Sequence, residues 1–78
     1  MSTTITNAGY GVWNNTIDVT SQVQQQYANG TRVFLAGNQY GDPSPGDRKY
    51  LYIFWTINNG PAQSGVTGEN DNRGIRIE

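Results

Sequence analysis

The strongest periodicity in the chain has a period of two. From Lys49 to Ile57, Leu51, Ile53, Trp55 and Ile57 fall on one side of an extended backbone, and Tyr50, Tyr52, Phe54 and Thr56 on the other. Both sides are apolar or aromatic, so this strand is expected to be central, or to turn one face to a partner. Thr3 to Tyr10, rich in threonine around Ile5 and punctuated by Gly9 and Gly11, predicts a first strand. Trp13-Asn14-Asn15 predicts a turn leading into a short strand, Thr16 to Val19.

The period then changes. Val23 and Tyr27 lie four apart, which predicts a short helix over Ser21 to Tyr27, capped by Asp18 or Thr20 and stopped at Asn29-Gly30. Thr31 to Ala36 returns to alternation. Gly41-Asp42-Pro43-Ser44-Pro45-Gly46-Asp47 is a stiff loop, because two prolines fix their φ angles. Asn58 to Asn72 predicts a loop-rich segment, and Arg73 to Glu78 a closing strand with Ile75 and Ile77 inward. These elements predict an all-β fold, a small antiparallel β-sandwich of about five strands with one short helical turn, in a single domain over residues 1–78.

Length limits the core. A chain of 78 residues and 8.6 kDa exposes about 4,700 Å² folded against about 12,500 Å² unfolded, so it buries only ~60% of its surface. Oligomerisation is one way for so small a fold to gain stability, and a homodimer across the Tyr50/Tyr52/Phe54 stripe is the expected form. Cys and His are both absent. Disulfides, zinc fingers, Ser–His–Asp triads and imidazole bases are therefore excluded within the chain.

Five Lys+Arg against six Asp+Glu leave a net charge of −1, without the basic footprint that nucleic acid or anionic lipid requires. No apolar stretch is long enough to insert in a membrane. The first residues carry no basic and apolar leader pattern, which predicts a cytoplasmic or non-classically secreted protein. The sequons at Asn14 and Asn29 then read as chance in an Asn- and Thr-rich chain.

The polar bulk is neutral: nine Asn, six Gln, eight Thr and four Ser, beside nine aromatics. Aromatic faces pack on the C–H face of a sugar ring, and fixed amides or carboxylates bond its hydroxyls. Trp13 and Asn14, in a turn, are the first candidate platform; a core-edge tryptophan is the bland alternative. Tyr40 is a second loop aromatic, either a stacking face for a ligand or a plug for the sandwich end, surrounded by Asn38, Asp42, Asp47 and Arg48. Asn70, Asp71, Asn72 and Arg73 form a second polar group, which completes a site only if the two loops share one end of the fold. Trp55, in mid-strand, is assigned to the core.

Catalysis by Asp42 with Asp71 would need both carboxylates across a cleft. Asp before Pro and Asp between asparagines are ordinary turn chemistry, so no enzyme is expected. A calcium loop over Glu69 to Asn72 fails because Arg73 stands before Gly74, where the loop order requires Asp or Asn. No cofactor or metal is implied.

Ile5-Thr6-Asn7-Ala8-Gly9-Tyr10-Gly11, Ile17-Asp18-Val19-Thr20, and Gly41-Asp42-Pro43-Ser44-Pro45-Gly46 with Lys49-Tyr50-Leu51-Tyr52-Ile53 together resemble a small β domain of no settled function. That domain closes certain DnaJ-type co-chaperones and also occurs alone or in multidomain proteins. The resemblance covers roughly residues 5–57 and does not extend to 65–78. It implies a β-sandwich whose helical turn follows Asp-Val-Thr, with no catalytic activity. As a protein type, the chain is also similar to small cytoplasmic lectins of fungal fruiting bodies, which implies carbohydrate binding and assigns no residues. Two functions follow as expectations: a glycan-binding lectin, or a protein-interaction or scaffold module.

Overall fold

The computed structural model describes residues 2–77, so Glu78, the end of the expected closing strand, lies outside the described residues. The chain is all-β with one helix. Strands β1 (Thr3–Val12), β2 (Asn15–Asp18), β4 (Tyr50–Ile57) and β5 (Gln63–Gly68) form an antiparallel sheet in the order β2-β1-β4-β5. Strands β3 (Val33–Phe34) and β6 (Ile75–Arg76) pair as a separate two-stranded ribbon. Helix α1 (Thr20–Ala28) lies between β2 and β3 in the chain. The expected central strand is central: β4 pairs with β1 on one side and β5 on the other.

Register divides the large sheet into two unlike faces. Tyr10 lies opposite Leu51 and Ala8 opposite Ile53, and all four are buried. Val19 and Val23 from the start of α1, Phe34 from β3, and Ile75 and Ile77 around β6 complete that core. The second layer of the sandwich is thus a helix plus a ribbon, not a full sheet. On the other face Gly9 lies opposite Tyr52 and Gly11 opposite Tyr50. Among the described residues, no helix or strand covers it.

Local chemistry sets the ends of α1. The Asp18 carboxylate accepts from the Thr20 amide at 2.9 Å and from its hydroxyl, and these bonds hold Asp18 below its usual pKa. At the other end the Thr31 amide bonds to Gln26 O and the Gly30 amide to Tyr27 O. This is a Schellman stop, and Gly30 at φ 104° takes the positive angle it needs.

Three expectations are corrected. The segment from Asn58 to Asn72 contains a strand, β5, because Asn58 and Asn59 both adopt positive φ and turn the chain back along β4. Such paired angles make the tight turn that matches strand twist. Strand β3 is only two residues long, with Phe34 inward and Val33 and Leu35 partly exposed. Tyr40 is buried on a short 3-10 turn, so of its two expected roles it plugs the fold and does not stand out to stack on a ligand.

Candidate functional site

Side chains from β1, the β1–β2 turn and the start of β4 converge on the uncovered face. Trp13 and Asn14 form a two-residue turn between the paired Val12 and Asn15. Trp13 is 92% exposed. Trp13 lines the same cleft as Tyr50 and Tyr52 on the uncovered face, and counting back from Tyr52 and Tyr50 puts Arg48 there too. The Asn15 side-chain amide donates to Pro43 O at 2.7 Å, which ties the turn to the proline loop.

The result is an open cleft of about 770 Å³. Tyr50 and Tyr52 line it from β4, Gly11 and Thr16 from the hairpin, with Trp13 at its rim and Asp47 and Arg48 at its end. Glycine makes this shape possible. A Cβ added to Gly9 would fall within the Tyr52 ring, so that ring lies down across the β1 backbone. A Cβ on Gly68 would stand 2.7 Å from the Arg48 guanidinium.

Arg48 is held in place. Its Nε donates to Glu69 O at 3.0 Å, its Nη1 reaches the Tyr50 hydroxyl at 3.5 Å, and its guanidinium carbon stands 5.3 Å from the Tyr50 ring centroid. The Asp47 carboxylate accepts from the Ser44 hydroxyl. Cation, anion and aromatic surface thus meet in one place, with donors and acceptors for hydroxyl groups.

Behind this end of the cleft lies a buried lysine. Lys49 is 3% exposed, and its Nζ lies 3.0 Å from Asp42 and 3.2 Å from Glu69. Nζ also donates to the carbonyls of Asp47 at 2.8 Å and Ser44 at 3.3 Å, while the Lys49 amide donates to Glu69 at 2.7 Å. The proline loop therefore wraps around one ammonium group. The bond with Asp42, above all, raises the Lys49 pKa, and the bond from the Lys49 amide lowers that of Glu69. Lys49 is the link by which the loops at 38–48 and 69–73 meet at one end of the fold.

The expected site residues divide accordingly. Trp13, Asp47 and Arg48 line the cleft, and Asn14 shares the exposed turn with Trp13. Asp42 is occupied by Lys49. Asn38 accepts from the Tyr10 hydroxyl at 3.2 Å. Tyr40 packs on Tyr10 with ring centroids 5.6 Å apart and donates to Gln26 at 2.7 Å, so it offers no face for stacking.

Asn70, at φ 68°, forms a turn, and Asn72 is exposed. Arg73 and Asp71 pair with each other at 2.9 Å, and the bonds from Arg73 hold Asp71 at a pKa of about 2. The two carboxylates considered for acid–base chemistry, Asp42 and Asp71, thus each hold a different cation. Tyr50, Tyr52 and Thr16 are cleft residues absent from the expected set. Strand alternation named the tyrosine stripe, but only the register with Gly9 and Gly11 turns it into a cleft.

A smaller depression of about 270 Å³ lies beside α1, lined by Gln22, Gln25, Gln26, Asn29 and Gln39 with Tyr40. Among the described residues, no cluster of acidic side chains has the geometry for a metal ion, and no helix is long and apolar enough to cross a membrane. Comparison with known families, curated proteins and solved structures gives no match for this chain.

Proposed function

We propose that this protein is a non-catalytic carbohydrate-binding protein whose glycan sits in the cleft between Trp13, Tyr50 and Tyr52. The carrying observation is the position of Trp13, fully outside the core at the rim of a cleft lined with tyrosine. A tryptophan left in water forgoes roughly 1.5–3 kcal/mol of burial, so its exposure calls for a use other than folding. Its indole face suits the C–H face of a pyranose, and Asp47 and Arg48 suit the ring hydroxyls. Tethering of Arg48 and a two-residue turn beneath Trp13 reduce the ordering cost of binding.

One observation favours a second use of the same face. Val66, opposite Tyr52 on β5, is 67% exposed beside the half-exposed Phe54. An apolar patch of this kind suits a protein partner or a second copy of the chain. Glycan-array binding of labelled protein, with Trp13→Ala and Tyr52→Ala in parallel and folding checked by circular dichroism, separates the two. Selective binding lost in the folded variants supports the lectin. Binding to no glycan refutes it, and a dimer in light scattering that dissociates on Val66→Asp then supports the interaction module.

A further inference from the structure

We infer, granted the carbohydrate assignment, that the ligand is a neutral linear oligosaccharide laid along β4, and not a single terminal sugar. The aromatic surface does not end at the cleft. Tyr50, Tyr52 and Phe54 recur every second residue on the uncovered face, roughly 7 Å apart along the strand. Tyr52 and Phe54 meet edge to face with centroids 6.0 Å apart. Arg48 continues the row at one end, and Trp13 lines the same cleft. From Arg48 to Phe54 the row extends about 20 Å by the strand rise. That length far exceeds one pyranose.

The shoulders of the row are low. Gly9 and Gly11 flank it on β1, and Gly68 on β5, so a chain can lie over the rings with the exposed Val66 beside Tyr52 as its apolar edge. Charge narrows the chemistry further. Between Tyr50 and Phe54 the row carries no ionised group, and its partners across the sheet are Asn7, Gly9, Gly11, Ser64, Val66 and Gly68. Asp47 and Arg48, of opposite sign, stand together at one end only. A polymer bearing a charge on every unit would gain one contact and leave the rest of its charges over desolvating aromatic surface. A neutral chain meets no such penalty.

Titration calorimetry with the cello-, manno- and N-acetylchito-oligosaccharide series, each from monosaccharide to hexasaccharide, tests this. In the series that binds, affinity should rise at least tenfold from disaccharide to hexasaccharide. Phe54→Ala should remove most of that gain and leave disaccharide affinity unchanged, whereas Trp13→Ala should weaken every length. Phe54→Tyr, which keeps the ring, should retain the gain.

Equal affinity for short and long members, or a length gain intact in Phe54→Ala, overturns the inference while leaving the carbohydrate assignment standing. Tighter binding of oligouronates of matched length overturns its neutrality. Absence of binding to every mono- and oligosaccharide, including the uronates, overturns the carbohydrate assignment itself. A solution dimer abolished by Phe54→Ala would show the row to be covered by a second copy, and so also overturns the inference.

Discussion

The two faces of β4 carry side chains of similar size and apolarity and meet opposite fates. Leu51 and Ile53 are completely buried, whereas Tyr50 and Phe54, one residue away along the same strand, remain about 40% exposed. Hydrophobicity alone does not separate them. The difference lies in what the rest of the chain can supply. One helix and one short ribbon cover one face of a four-stranded sheet, and among the described residues no helix or strand covers the other. The covered face packs aliphatic side chains with the buried rings of Tyr10, Phe34 and Tyr40. The uncovered face is aromatic rings set among glycines. Burial made the first a core, and shape made the second a surface able to bind flat, amphipathic rings.

The contrast is open to attack by paired substitution. Leu51→Ala should cost about 2–5 kcal/mol in urea unfolding, since it opens a cavity that the helix and ribbon cannot refill. Tyr50→Ala, its neighbour, should cost about 1 kcal/mol or less and weaken glycan binding. Equal losses from the two would mean that the uncovered face also holds the fold together.

Gly9→Val probes the close approach between the faces of two strands. Its side chain would displace the Tyr52 ring, so a stability loss of about 1–3 kcal/mol should come with a rearranged cleft and reduced binding. Unchanged binding would show that the orientation of Tyr52 is immaterial.

Thr67 sharpens the comparison from the covered side. It is buried opposite Leu51, and among the described residues its hydroxyl has no hydrogen-bond partner. Thr67→Val should therefore raise stability by about 1 kcal/mol, because the cost of desolvating an unpaired hydroxyl disappears. A lower unfolding midpoint would reveal a partner for that hydroxyl.

The smallest expected effect is on acid. Glu69 and Asp71 both titrate lower in the folded chain than unfolded, so their stabilisation is complete above the unfolded range near pH ~4. It declines as pH falls towards the folded values, about 2 for Asp71. Thermal midpoints should therefore be level from neutrality to about pH 5 and drop below it. Lys49 has the opposite sign: its raised pKa keeps its contribution intact up to alkaline pH, with loss only above 10.5. Glu69→Gln should flatten part of the acid limb; an unaltered limb would assign the acid loss elsewhere.

Much of the covered face was legible in the chain. The alternation from Leu51 to Ile57, the Val23 position in α1 and the inward Ile75 and Ile77 all follow from periodicity. Strand β5 was not legible, because Gln63-Ser64-Gly65-Val66-Thr67-Gly68 has one large apolar side chain and it points outward. Its glycines are set by neighbours distant in sequence: a Cβ on Gly65 would stand 2.9 Å from Ile75.

The candidate site was legible where turn chemistry marks it, at Trp13, Asp47 and Arg48. Two further features depend on tertiary structure alone. A short turn swings Tyr40 into the core, and Lys49 is buried only because Asp42, Glu69 and two carbonyls surround it. A buried lysine is rare without such partners, and no local pattern announces it.

The uncovered, glycine-flanked face is the proposed ligand surface. Titrating an isotopically labelled sample with the best-binding glycan, while recording backbone amide and indole N–H shifts, tests it most directly. Perturbations should be confined to the Trp13 indole and the amides of Gly9, Gly11, Arg48, Tyr50, Tyr52 and Phe54, with Ile75, Ile77 and α1 unmoved. Perturbations centred on the glutamine-lined depression beside α1, with the Trp13 indole unmoved, would contradict it.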